Sequence, residues 1–426
     1  MKSKLFFLVI FFILFVSCEE KSDIPHTTVD ILIEYPSDLE ELSVQYETVK
    51  FKNISSGMET EYSNSKQFSL PEGLYDCSYE ASVTYLKNGE MTEGKLRGYQ
   101  ASLKVLGTDV KVTLESYLLE DKNDFIIEEI FFTGTLQPSG KQYNGDQYVK
   151  IYNNTDHVLY ADGVSLMESK FITVTKYDYT PDIMKEAMTV QAIYTIPGNG
   201  TDHPVQPGES LIICDTGMDH RVANPNSFDL SRADFEWYDE SSVPAHMDID
   251  SPTVPNLDKY YCYTLSFWIL HNRGFRAFAL ARIPEKKEDF LKNYLYTYKY
   301  VMVLPAGTFP MEQTAYKVPN EWIIDAVNTS LESRYVWNVT DPSLDSGWTH
   351  CGTIDGDKTR YFKSVRRKLL YITRDGRKVL KDTNNSSDDF NTECVPSLIE
   401  EQHTATDANG TPAVNITYDG VTPKTE

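Results

Sequence analysis

The chain has 426 residues, 41% hydrophobic and 24% charged, a globular balance with room for two or three domains at about 150 residues each. That composition excludes a collagen-like, coiled-coil or wholly disordered protein. Sixty-three acidic against 40 basic residues give a formal charge of −23, a field that repels phosphate backbones and excludes nucleic acid as a partner.

Lys2 and Lys4 precede an unbroken apolar run, LFFLVIFFILFVS at residues 5–17, which ends at Cys18. Thirteen residues make a signal-peptide core, too short to span a bilayer. The Val16-Ser17-Cys18 junction resembles a bacterial lipobox. This implies removal of residues 1–17 and acylation of Cys18, whose lipid chains would hold the protein stably on a membrane. The alternative is ordinary secretory cleavage with Cys18 left as a thiol. Residues 18–26 form an acidic tether. Glu19, Glu20 and Asp23 there resemble the export signal of surface lipoproteins in the Bacteroidetes, or serve simply as solvated spacer. The implied address is the outer membrane, lipid-anchored and exposed at the cell surface. No later stretch reaches 18 apolar residues, so nothing else is predicted to cross a membrane as a helix.

From 27 to 118 short alternating runs recur, among them TVDILIEY, VQYETVKFKN, YDCSYEASVTYL and VKVTLESY. Their period-2 pattern and β-branched or aromatic content predict about seven strands in one sandwich. The hairpin leading into Leu70-Pro71-Glu72-Gly73-Leu74-Tyr75 resembles the transthyretin-like or carboxypeptidase-regulatory-like module, with Gly73 expected at positive φ. Such modules act as spacers. A charged link, 119–124, then leads to a second unit spanning 123–397.

That unit opens with FIIEEIFFTGTLQPSGKQYNGDQYVKIYNNTDHVLYADGVSL, residues 125–166, continues through Val205-Gln206-Pro207-Gly208 into an apolar strand, and closes with VRRKLLYITRDGRKVLKDTNNSSDDF, residues 365–390. These three segments, in this order, resemble a lamin-tail-like, immunoglobulin-like sandwich. Gln147-Tyr148-Val149-Lys150 and Ala161-Asp162-Gly163-Val164 depart from its usual strand and turn. A sandwich of that kind needs about 100 residues, so large insertions are expected at 168–200 and, as an inserted subdomain, at about 215–350. With NPNSFDLSRADFEWYD, VPNL and LHNRGFRAFALARIP, nearly the whole mature chain resembles an uncharacterised family of Bacteroides lipoproteins, DUF4876, which brings no established activity. The expected fold is all-β, an N-terminal sandwich followed by the lamin-tail-like one, with 398–426 as a loosely ordered tail.

Candidate sites are sparse. Tyr294, Tyr296, Tyr298 and Tyr300 alternate, which puts four phenol rings on one face of a predicted strand. With Trp268 they form either a stacking surface for a sugar, haem or other flat ligand, or a sheet face packed on the core. Met218 and His220, close to Cys214, offer soft metal ligands. Asp248 with Asp250, and Asp355 with Asp357, offer oxygens at alternate positions that suit calcium, without the full calcium-loop pattern. Each set has a plain alternative as scattered structural residues, and metal binding is not the favoured reading. Of the cysteines after Cys18, Cys351 and Cys394 are the candidate pair for a disulfide. No nucleophile elbow, zinc-helix or phosphate-loop motif occurs, and no cofactor is implied.

Three functions remain open. The favoured one is a non-enzymatic surface lipoprotein that binds a ligand or protein partner. By analogy with what such lipoproteins commonly do, it would be an accessory to a TonB-dependent transporter. The second is a structural or adhesive surface protein without a small ligand. The third is a hydrolase, for which no catalytic cluster is visible.

Overall fold

Alternation of apolar and polar residues sets the first strands. In β1 (His26–Glu34), Val29, Ile31 and Ile33 are buried while their neighbours face outward, as a half-buried strand requires. A computed structural model of the chain describes residues 25–37, 39–87, 89–119, 123–241, 248–264, 267–404, 416–417 and 423–424. The signal run, Cys18, Glu19, Glu20 and Asp23 lie outside the described residues. The fold is all-β: strands account for 49% of the chain and helix for 8%. Among the described residues no helix is long and apolar enough to cross a membrane.

The chain divides into two units. One runs to Glu93 and includes Tyr99–Ser116, and the other takes Gly94–Gly98 and everything from Tyr117. In the first, β1, β2 (Glu40–Asn53), β3 (Glu59–Ser63), β4 (Gln67–Pro71), β5 (Gly73–Lys87), β6 (Glu90–Val105) and β7 (Asp109–Leu118) lie in the order β3-β2-β5-β6-β7-β1-β4. The sheet curls until its ends meet, with Phe68 of β4 against Phe51 of β2 and Tyr62 of β3, ring centroids 5.1 and 4.8 Å apart. Pro71 turns the chain as expected, and the Tyr75 hydroxyl donates back to the Pro71 carbonyl at 2.9 Å. Gly73 departs from expectation. It has no positive φ and is needed because a Cβ there would sit 2.9 Å from the Asn53 side chain.

The second unit is two facing sheets. One sets Phe235–Glu236, Ser210–Cys214, Tyr148–Tyr152, Ile126–Phe131, Ser364–Arg367 and Phe390–Cys394 side by side, and ends with Pro423–Lys424 and Ile416–Thr417. The other sets Leu295–Leu304, Gly307–Pro319, Ala187–Thr195, Val164–Ser169, Ala277–Arg282, Ile323–Ser330 and Thr349–His350 in line, with Asp258–Cys262 also pairing with Ala187–Thr195. Ile127, Val149 and Ile151 of the first sheet share a core with Leu166, Phe278, Leu280 and Val327 of the second. All three sequence segments that resemble a lamin tail supply strands to the first sheet. Gly208 makes its turn at φ +83°.

The segment expected to be an insertion is not a satellite. Residues 258–350 are most of the second layer, and Leu257, Trp268 and Phe278 belong to the common core. The second sheet is covered on both faces, its outer side carrying Met167, Val190, Ile193, Ala279 and Trp337. A strand buried on both faces need not show one apolar and one polar face, and all of Ala187–Thr195 is buried, Thr189, Gln191 and Thr195 included. The tail departs too: Ser397–Glu401 is a short helix whose Leu398 and Ile399 are buried beside Phe131 and Tyr148, so the chain stays packed beyond 398.

One side chain joins these layers. The Arg367 guanidinium, 1% exposed, pairs with Asp325 of the second sheet at 2.6 Å and with Asp382 at 3.0 Å. Its Nε donates to the Ile127 carbonyl at 2.8 Å, and it lies over the Phe390 ring at 4.7 Å. Asp325 in turn accepts from the Ile127 amide. The DTNNSSDDF turn is the structural element its residues suggest: Asn385 caps the helix Ser386–Asp389, Asp389 accepts from the Thr383 amide and hydroxyl, and Phe390 is buried. Removing one partner from a buried ion network strands the others. R367M is therefore expected to cost about 3–5 kcal/mol, read as a lower urea midpoint, while R367M combined with D325L costs clearly less than the two single changes added.

Candidate functional site

Residues 170–186, which join strand Val164–Ser169 to strand Ala187–Thr195, lie over the tyrosine face of Leu295–Leu304. The loop is pinned at several points. Thr180 exchanges backbone bonds with Lys299, both at 2.9 Å, the Tyr296 hydroxyl donates to the Pro181 carbonyl, and Asn320 Nδ2 donates to the Met184 carbonyl at 2.9 Å. The Trp337 indole N–H donates to the Ile172 and Thr175 carbonyls, each at 2.9 Å. So fixed, the loop builds an aromatic cluster. Phe171 and Tyr179 stack 3.9 Å apart with 12° between planes, with Trp337 6.2 Å beyond Tyr179. Lys176 Nζ lies over the Trp337 ring at 5.4 Å, and Tyr177 leans on Tyr300 at 4.7 Å.

Above this cluster is a cleft of about 280 Å³, lined by Tyr177, Tyr179 and Phe171 together with Lys176, Asp178 and Asp182. That volume is just below the usual range of ligand pockets, about 300–1,000 Å³, which suits one small ring system and not a haem. Aromatic faces take the apolar side of a ligand, while the ammonium and carboxylates take its hydroxyls. Burial raises the Tyr179 phenol above its ordinary value and pushes Tyr298 up to about 12. These rings stay neutral at physiological pH and act as stacking surfaces and hydrogen-bond donors.

The tyrosine row predicted from sequence is largely core. Tyr296 and Tyr298 are 5% and 2% exposed, Tyr298 meeting Phe171 edge-on at 5.2 Å. Only Tyr300 is partly open. Tyr294 is not on that face: the strand begins at Leu295, and Tyr294 closes the helix Lys287–Asn293 by donating its backbone N–H to the Phe290 carbonyl. Trp268 is also no ligand platform. It is 1% exposed, stacked on Tyr194 at 4.9 Å, with its indole N–H on Glu168. The cleft residues of 171–182 escaped sequence reading because they sit in a loop without periodicity; the run Tyr177-Asp178-Tyr179 was the available signal.

The metal candidates each have other partners. His220 is buried, Nε2 donating to the Thr216 carbonyl at 2.9 Å and Nδ1 accepting from the Tyr143 hydroxyl at 2.8 Å. Burial lowers its pKa. Cys214 packs in the cluster of Phe131, Tyr148 and Phe228, and Met218 is half-buried. Asp248 accepts from the Asp239 amide, Asp250 from Asn256, Asp355 pairs with Arg273 and Arg334, and Asp357 caps a turn through Thr359. Among the described residues no three His, Cys, Asp or Glu side chains gather to hold a metal. Cys351 and Cys394, the candidate disulfide pair, are buried as free thiols. Cys394 Sγ donates to the Asn391 carbonyl, and burial, then the Glu393 carboxylate, pushes the Cys351 thiol well up.

Residues 206–397 match the model of a family described as Protein of unknown function (DUF4876), so the resemblance read from the sequence holds over that stretch. The fold matches the crystal structure of a DUF4876 family protein from Bacteroides thetaiotaomicron VPI-5482, with a TM-score of 0.52 at 22% identity, covering 87% of this chain and 96% of that one. A putative cell adhesion protein from Bacteroides eggerthii DSM 20697 aligns over 68% of this chain and 78% of its own, at 8% identity and a TM-score of 0.15, too low to carry an argument about fold. No curated protein matches.

The fully buried Asp146 accepts from the Thr135 and Ser227 hydroxyls, and its Oδ1 has no hydrogen-bond partner. Burial pushes its pKa up to about 6 despite those donors. The folded state therefore holds this proton more tightly than the unfolded chain. The group's contribution is complete below about pH 4 and is lost as pH rises through about 6. In urea melts, the stability of wild type relative to D146N is expected to fall by about 2–3 kcal/mol over that window.

Proposed function

We propose that this chain is a non-enzymatic surface lipoprotein that holds a small saccharide in the cleft over Phe171, Tyr177 and Tyr179. One observation carries the reading: stacked, neutral aromatic rings lie beside Asp178, Asp182 and Lys176 in a cleft sized for one ring system. A sugar presents an apolar face of C–H groups and a rim of hydroxyls, and this arrangement offers a counterpart to each. The lipobox-like Ser17-Cys18 supports anchoring through an acylated Cys18 in the outer membrane, and Glu19 and Glu20 support exposure at the surface. A protein placed there and binding a sugar would serve as accessory to a TonB-dependent transporter.

The test is a glycan array probed with the acylated protein in detergent, followed by calorimetry on any hit. Y177A and D178N change exposed or half-exposed side chains, so the melting temperature should stay unchanged while affinity falls about tenfold, the worth of roughly 1–2 kcal/mol of stacking or hydroxyl bonding. Capture of a transporter barrel from solubilised outer membranes is expected alongside. Binding that neither variant weakens, or no glycan bound at all, contradicts the saccharide reading and favours a structural or adhesive role.

A further inference from the structure

The hairpin of Leu369–Ile372 and Lys378–Leu380 is fixed on one side and bare on the other. Leu369 and Leu380 pack with Ile126 and Tyr152. The Tyr152 hydroxyl donates to the Lys378 carbonyl at 2.6 Å, and the Asn154 side chain bonds the Leu380 carbonyl and amide at 3.0 and 2.8 Å. Lys378–Leu380 is therefore the inner strand, and Leu369–Ile372 lies outside it. Beyond Leu369 the outer strand carries Leu370, Tyr371 and Ile372, each more than half exposed. Three successive apolar side chains facing solvent from a fixed ribbon are a fault unless they have a partner.

The charge around them is opposite in sign to that of the chain. Residues 368–381 hold five basic side chains, Lys368, Arg374, Arg377, Lys378 and Lys381, against the single acid Asp375, so the segment carries 5 − 1 = +4 in a protein of formal charge −23. Asp375 is engaged within the turn, where it accepts from the Thr373 hydroxyl, while the Thr373 amide donates to the Arg377 carbonyl at 2.9 Å. Arg374 and Lys378 are exposed beside the apolar triplet. At the root, Lys368 and Lys381 donate to the Asp388 carbonyl at 2.9 and 3.1 Å. Exposed charges further off than about 8 Å are largely screened at physiological salt, so the acidic remainder of the chain does not cancel this patch.

We infer that the outer strand and its turn dock on an anionic bilayer surface. Leu370, Tyr371 and Ile372 enter the headgroup layer, and Arg374 and Lys378, backed by Lys368 and Lys381, meet the lipid phosphates. Apolar side chains rimmed by basic ones make an interfacial contact of this kind, a tyrosine suits the headgroup level, and each basic side chain near an anionic surface adds to the attraction. Charge also sets the orientation, because an anionic surface repels the rest of this acidic chain. An acidic protein would answer the charge but not three apolar side chains that lie in no groove. The acyl anchor proposed at Cys18 brings a bilayer within reach. The contact itself requires neither that anchor nor the saccharide, so its test stands apart from both.

The test is flotation of the mature chain, with C18S so that no acyl chain contributes, on vesicles of phosphatidylcholine mixed with phosphatidylglycerol and on vesicles of phosphatidylcholine alone. The wild type is expected to float with the anionic vesicles, to float poorly with the neutral ones, and to be released at about 1 M salt, where the screening length is about 3 Å. The pair R374A and K378A, and the pair L370S and I372S, change exposed side chains. Each pair should weaken partitioning about tenfold with an unchanged melting temperature. Y371W should be quenched by brominated lipid in the anionic vesicles. No flotation with anionic vesicles, equal flotation with neutral ones, binding that neither pair weakens, or a Y371W protein that floats unquenched would each overturn the inference. Capture by soluble polyglutamate through Arg374 and Lys378, with the vesicles left unbound, would overturn it in favour of an acidic polypeptide.

Discussion

Arg367 has one positive charge and three carboxylates around it, and its side chain is 1% exposed. Asp325 comes from the second sheet, the Ile127 carbonyl from the first, and Asp382 and Asp389 from the turn that closes the chain. A buried guanidinium cannot shed its proton, so the surrounding layers must bring it carboxylates or leave a bare charge in the core. Burial raises the Asp325 pKa to about 7, against the pull of the Arg367 guanidinium 2.6 Å away, and the neighbouring Asp382 carboxylate adds to the rise. The network adds less to net stability than its short distances suggest, since both ions were desolvated to make it. Its main consequence is register: strand Ser364–Arg367, strand Ile323–Ser330 and the Asp382–Asp389 turn have one mutual arrangement in which every member is satisfied.

The aromatic cleft depends on that arrangement at one remove. Strand Ile323–Ser330, which carries Asp325, also places the Thr329 carbonyl that accepts from Thr173, at the root of the loop bearing Phe171, Tyr177 and Tyr179. Trp337, a few residues further on, clamps the same loop with its indole N–H. The tyrosines of Leu295–Leu304 fill the space beneath. The four alternating tyrosines that look like a binding row in the sequence are thus mostly foundation, and the exposed stacking surface belongs to the loop resting on them.

The all-β class and the strands of the first sheet were legible because their signals are local: alternation in TVDILIEY, the Pro207-Gly208 turn, and the Asn385 cap before Phe390. The second sheet was not, for a physical reason. Ala187–Thr195 and Ala277–Arg282 are buried on both faces and need not show one apolar and one polar face, so a required layer read as an insertion. Leu398 and Ile399 look like tail until their partners Phe131 and Tyr148 are known. Tyr294 fits the period of a strand, but the hydrogen bond from its N–H to the Phe290 carbonyl, which ends a helix, decides its place. Trp268 and His220 were noticed for their chemistry and turned out to spend it on buried neighbours, which no linear spacing reveals.

The central claim is that residues 258–350 are the second layer of one sandwich and not a subdomain set into it. Native-state hydrogen exchange at increasing urea tests this most directly. The amides of Ile127, Ala326 and Arg366 are expected to converge on one opening free energy and to exchange together as the unit unfolds. If Ala326 and the other amides of 258–350 exchange through a separate, lower-energy opening while Ile127 and Arg366 stay protected, the layers are independent and the account is wrong.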